Sequence, residues 1–152
     1  ASIVTVNGGY TTRANAYSWG TYSTTNTITV VLPETEEDFW VKFTLPKEKR
    51  VYARCSYNAE NEGMYLEMRN SSNRILDEKH SPDDVLDMDT VIPFMAVACD
   101  NLTSSSQTYY IHVNRGTCEG TMYFSLSMNE RIKTGRGVFS FSGTASNPGN
   151  SF

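Results

Sequence analysis

Few side chains in this sequence could carry chemistry. Only His80 and His112 could act as general bases near neutral pH. His80 falls in a charged stretch, and His112 lies on the outward side of an alternating segment, Thr108 to Asn114. Neither belongs to a Gly-x-Ser-x-Gly elbow or to a histidine pair at metal-ligand spacing. Two solvent-facing histidines are expected, and no enzyme. Oxygen ligands of the kind calcium prefers are more plentiful, in Glu34, Glu36, Glu37 and Asp38 and again in Asp83, Asp84, Asp87 and Asp89. The sequence holds no Asp-x-Asp-x-Asp-Gly loop. Calcium is therefore a candidate at Glu36, Glu37 and Asp38, beside the alternative of a solvated acidic cluster that blunts a sheet edge. No other cofactor is expected.

The third candidate is a surface of rings. Position in the alternating segments puts Trp40, Tyr52, Tyr65, Tyr110 and Tyr123 on the non-core side of their strands. Flat aromatics on a sheet face suit a carbohydrate, because pyranose C–H faces stack on rings. Neighbouring Arg69, Lys42, Glu67 and His112 could hydrogen-bond hydroxyls. Trp40, Tyr65, Tyr110, Tyr123, Arg69 and His112 form the expected ligand-binding set. The alternative is that the N-terminal arm or the segment 138–141 covers these rings, or that they are ordinary cross-strand pairs.

The elements that would position these residues are strands. After the acidic run, Phe39, Val41, Phe43 and Leu45 alternate with Trp40, Lys42 and Thr44 until Pro46 closes the segment. Similar alternation marks Ile28-Val30-Leu32, Val51-Ala53-Cys55-Tyr57, Met64-Leu66-Met68, Tyr109-Ile111-Val113 and Met122-Phe124-Leu126-Met128. Residues 2–6 suggest a short strand, and Val91 to Cys99 a buried one interrupted by Pro93. Residues 10–26 read as an irregular arm, 74–90 as a charged insert with one helical turn near Ser81-Pro82, and Arg115 to Gly120 as a hairpin loop. About seven to nine short strands separated by turns predict an all-β, antiparallel two-sheet sandwich over 1–134, with 1–26 as its arm. Residues 135–152 would be a C-terminal strand and a Ser/Gly/Asn-rich linker tail.

Strand direction bears on the three cysteines. With alternating directions, Cys55 and Cys99 would end at one pole and could pair, leaving Cys118 exposed at the other. The net charge of −4 argues against a nucleic-acid backbone as partner, and no apolar run reaches the ~18 residues of a membrane span. No signal peptide is visible, though a chain beginning Ala-Ser-Ile could be a mature or trimmed form. Asn70-Ser71-Ser72 and Asn101-Leu102-Thr103 fit glycosylation sequons.

The ordered set of Asp-Phe-Trp-Val-Lys-Phe-Thr-Leu, Met-Tyr-Leu-Glu-Met-Arg-Asn, Thr-Tyr-Tyr-Ile-His-Val and Gly-Thr-Met-Tyr-Phe-Ser-Leu resembles the bacterial pre-peptidase C-terminal domain family. The resemblance spans roughly Thr27 to Met128. The chain departs from that pattern at Ser106-Gln107-Thr108 and Pro46-Lys47-Glu48-Lys49, where the family usually carries glycine. The resemblance implies a jelly-roll-like, secreted, extracellular accessory domain without catalysis, covalently linked to catalytic or adhesin domains of a larger chain. Such modules serve secretion, stability or attachment, and collagen-binding relatives carry calcium near the acidic N-terminal segment. Together these readings predict a module binding polysaccharide or extracellular matrix protein through an aromatic face, or else a structural spacer with no ligand of its own.

Overall fold

The computed structural model describes residues 2–23, 26–57, 63–81, 83–84, 94–133 and 139–141. Eleven strands are found there: β1 (Ser2–Thr5), β2 (Tyr17–Thr21), β3 (Thr27–Leu32), β4 (Asp38–Leu45), β5 (Arg50–Tyr57), β6 (Tyr65–Asn70), β7 (Ile75–His80), β8 (Phe94–Asp100), β9 (Gln107–Asn114), β10 (Met122–Lys133) and β11 (Phe139–Phe141). One sheet runs β1-β3-β10-β5-β8 with β11 on β10, and the other runs β2-β4-β9-β6-β7. The all-β sandwich expected from the alternation is present. The expected tail from 142 onward, Asp87, Asp89 and the start of the strand at Val91 lie outside the described residues, as does Pro82 of the helical turn.

The predicted inward sets form the core. Phe39, Val41, Phe43 and Leu45 of β4 are almost entirely buried, as are Met122, Phe124, Leu126 and Met128 of β10. Phe39 meets Phe124 edge-on across the two sheets, 6.1 Å between ring centres. Each such ring removed from water stabilises the fold by about 1.5–3 kcal/mol.

Three features depart from the sequence reading, for physical reasons. The arm is not irregular: β1 lies parallel to β3, and β2 lies parallel to β4. It thus supplies an edge strand to each sheet, and the sandwich is antiparallel except at these two pairs. β1 is the short strand expected at residues 2–6, whereas β2 carries no buried residue and so showed no alternation to mark it. The charged insert contains β7, another edge strand with no fully buried residue, paired with β6. Finally, Arg115 to Gly120 is not a hairpin loop but an arch, since β9 pairs with β4 and β6 while β10 pairs with β3 and β5.

The missed β7 also explains the cysteines. One more strand reverses the direction of β8, so β5 and β8 are antiparallel neighbours, with Cys55 opposite Met95 and Cys99 opposite Val51. Four residues of strand, about 13 Å, separate the two thiols along the ladder, too far for a disulfide. None of the three cysteines forms a disulfide and all three are buried, including Cys118 within the arch. Burial pushes the Cys55 thiol up to about 12, and burial chiefly, with Asp100 adding, raises that of Cys99 as well. An aromatic disulfide reagent should find no reactive thiol in the native protein and three after denaturation without reductant. Fewer than three in the denatured chain would reveal a bridge.

One sequon is also structural. Asn101 is fully buried, donating to the carbonyls of Leu45 (2.8 Å) and Ser105 (2.9 Å) and accepting from Thr103. Its amide is committed to closing the turn before β9 and offers no site for a glycan.

Candidate functional site

The outward face of the five-stranded sheet gathers most of the expected ligand-binding set. Register places Trp40, His112 and Glu67 in one cross-strand row, with Lys42, Tyr110 and Arg69 in the next. The row on the other side holds Asp38, Asn114 and Tyr65. Tyr123 is separate. It sits on β10 in the other sheet and is 52% exposed. Tyr52, expected outward, is buried on β5 and lines a surface cavity of about 490 Å³ with Asp77 and Arg131.

At the centre lies a charged network. His112 Nδ1 is 2.6 Å from Glu67 Oε1, and His112 Nε2 is 2.7 Å from Asp38 Oδ1. Ionised carboxylates only accept, so holding both contacts at once requires a proton on each ring nitrogen. Asn114 Nδ2 donates to the same Asp38 oxygen at 2.8 Å. Arg69 grips Glu67 with two bonds, Nε to Oε1 at 3.0 Å and Nη2 to Oε2 at 3.1 Å, and its other arm reaches the Asn73 carbonyl at 3.0 Å. Burial alone would raise the Glu67 carboxyl, but the hydrogen bonds from Arg69 and His112 outweigh it and hold the group below its ordinary value. Tyr65 shifts upward, chiefly from burial and then from the nearby Glu67 and Asp38 charges.

The rings are arranged around this network. Trp40 stacks on His112 with centres 4.1 Å apart and planes 12° from parallel, so a doubly protonated imidazole would lie against an indole face. Tyr110 meets Trp40 edge-on at 6.4 Å, and Tyr65 meets His112 edge-on at 6.1 Å. Trp40, Tyr65, Tyr110 and Arg69 are half-buried. His112 is not the solvent-facing residue expected, because an outward position is not an exposed one when a neighbouring indole lies flat across it. Only 8% of it is accessible, and both nitrogens are engaged. Its ring supports Trp40 from below. His80 is the exposed histidine, 3.1 Å from Glu78 and stacked on Tyr65.

The N-terminal arm borders this face. The Trp40 amide donates to the Tyr10 carbonyl at 2.7 Å, and Arg13 lays its guanidinium 4.3 Å from the Tyr110 ring centre while donating to the Ser71 carbonyl. The covering strap considered from the sequence thus exists at the Tyr110 side, and Trp40 remains half-exposed. The acidic run is not brought together. Glu36 accepts from the Gly8 amide, Glu37 is exposed, and Asp38 turns to His112. Among the described residues no three His, Cys, Asp or Glu side chains converge as metal ligands.

Sequence reasoning missed Arg115, which fixes the end of the site. It is 4% exposed, and its guanidinium donates five hydrogen bonds to the carbonyls of Glu36, Cys118, Gly120, Leu32 and Pro33. This ties the arch to the turn before β4, where Asp38 meets Asn114 in register. An arginine in a glycine-containing loop carries no signal of such a role.

No protein-family model matches the chain. The sequence is 36% identical over 125 residues to the uncharacterized protein YbdN of Bacillus subtilis (strain 168), a match covering 82% of this chain and 42% of YbdN. The chain therefore spans less than half the length of that curated relative. Among solved structures, the pre-peptidase C-terminal domain of a collagenase from Bacillus anthracis superposes with a TM-score of 0.51 at 15% identity, covering 74% of this chain and 93% of that one. That likeness is one of fold. It agrees with the sandwich implied by the sequence resemblance.

Proposed function

We propose that this chain is a non-catalytic accessory module of a secreted bacterial protein, a member of the pre-peptidase C-terminal domain family, and that it binds carbohydrate or extracellular matrix through the outward face of its five-stranded sheet. The observation that carries this reading is the half-exposed Trp40, held flat by His112 and flanked by Tyr110 and Tyr65. A ring fixed in advance loses little freedom when a sugar stacks on it. Around it Arg69 is hydrogen-bonded to Glu67, and His112 links Glu67 to Asp38, so these groups hold their geometry. The engagement of both His112 nitrogens by carboxylates supports a module without catalysis. The fold shared with a domain of a collagenase supports an extracellular, appended role.

Titrating Trp emission with soluble cellulose, xylan and chitin oligosaccharides, acidic polysaccharides and collagen peptides tests the reading. A saturable change is expected, weakened about tenfold in Trp40→Ala, since stacking on one ring is worth roughly 1–2 kcal/mol. Tyr110→Ala, which leaves the His112 stack intact, should weaken it as well. One observation favours a second reading. Tyr10 and Arg13 already occupy the Tyr110 side of the face, as they would in a structural spacer that has no ligand. No response from any of these ligands would leave the spacer standing.

A further inference from the structure

The rings adjoin a groove whose lining differs from the rest of the face. It has a volume of about 440 Å³ and is floored by Lys42, Thr44, Thr108 and Tyr110, with Ser18 and Ser71 at its sides. No acidic residue lines it. Lys42 is half-buried on β4, yet among the described residues it has neither an ion pair nor a hydrogen bond. A second cation borders the groove, because Arg13 bridges the Tyr110 ring and the Ser71 carbonyl. Its Nε is buried with no partner among the described residues.

The carboxylates of this face are committed elsewhere. Glu67 belongs to Arg69 and His112, and Asp38 to His112 and Asn114. Asp38 also lies four residues along β4 from Lys42, about 13 Å of strand, beyond the reach of short-range pairing in physiological salt. The chain as a whole is acidic, at −4, so a general attraction for polyanions is absent and any preference for negative charge must be local. A half-desolvated ammonium without a counter-ion in a hydroxyl-lined groove is matched by a ligand that brings one negative charge and many hydroxyls.

From this juxtaposition we propose that the groove takes an acidic sugar, a uronate whose carboxylate pairs with Lys42 while the adjoining residue of the polymer stacks on Trp40. The proposal rests on the carbohydrate reading and narrows it to anionic polysaccharides. Serine and threonine hydroxyls at the groove's sides would serve the sugar hydroxyls, and Arg13 would close it on the Tyr110 side.

The test measures binding of galacturonate, alginate and hyaluronan oligomers, each beside its methyl-esterified form, with neutral cellulose and xylan oligomers as a further arm. Esterification removes the charge and keeps the ring. The acid form of one polymer should bind about tenfold more tightly than its ester, the effect of one charge-assisted contact. Lys42→Met should abolish that difference and Lys42→Arg should keep it, with thermal unfolding checking each variant. If Lys42→Met does not fold, the acid-to-ester ratio of the unaltered protein decides. Equal binding of acid and ester, binding of neutral polymers alone, or acid binding undiminished in a folded Lys42→Met would overturn the assignment of charge and leave the sugar face standing. No binding by any polymer would overturn both.

Discussion

Replacing Arg115 with methionine should destabilise the domain by about 3–5 kcal/mol, a large share of the stability of an ordinary domain. Five backbone carbonyls share this guanidinium, and four of the bonds are between 2.5 and 3.1 Å. Each bond is worth roughly 1 kcal/mol net. Methionine fills the same space and donates nothing, so carbonyls stay buried and unpaired at a further cost. Lysine is no remedy, because it has three donors on a point charge where the site needs a planar fork. Urea denaturation measures the loss, and a midpoint equivalent to less than about 1 kcal/mol would show that the arch repairs itself. The variant should also loosen Asp38 against Asn114, because Arg115 ties the turn that delivers one to the arch that follows the other.

The second large effect concerns the network under Trp40. His112→Ala should cost about 2–4 kcal/mol, since it leaves the buried Glu67 with Arg69 as its one remaining charged partner, frees Asp38 from the ring, and removes the surface on which Trp40 rests. Breaking one member of a buried charged set is worse than never building it, because the surviving charge keeps its desolvation cost. Glu67 adds a pH signature. Its folded carboxyl lies below the ordinary value near 4.5. Between the folded and unfolded values the unfolded chain binds more protons, so stability rises with pH there. The contribution is complete above the unfolded value and is lost as the pH falls through the folded one. Glu67→Gln should flatten this acid limb relative to the unaltered protein. An unchanged slope of stability against pH below 4.5 would mean that another carboxylate carries it.

The inward half of the fold was legible in the sequence because each core strand buries one face, and two-residue alternation records that directly. Phe39 through Leu45 and Met122 through Met128 were placed on the correct side for this reason. The edge strand β1 was read as the short strand at 2–6, but β2 and β7 were not legible, since strands that bury no residue leave no period to read. Missing β7 reversed the inferred direction of β8 and produced a disulfide that the register forbids. The outward face was legible only as a list. Position in the strand identified Trp40, Tyr65, Tyr110, Arg69 and His112, and they do share one face. It could not tell that Tyr123 belongs to the other sheet, nor that His112 is capped by an indole. Those facts depend on strand order and on how a ring lies across its neighbours, and neither is encoded locally.

Chemical-shift mapping of the isotope-labelled domain with galacturonate and cellulose hexamers would test most directly whether this face is the ligand surface. Perturbations should cluster on the Trp40 indole N–H, Lys42 and Tyr110, with Tyr123 on the other sheet unaffected. Shifts centred on Tyr123 or along β10, or a spectrum that neither sugar changes, would contradict the account.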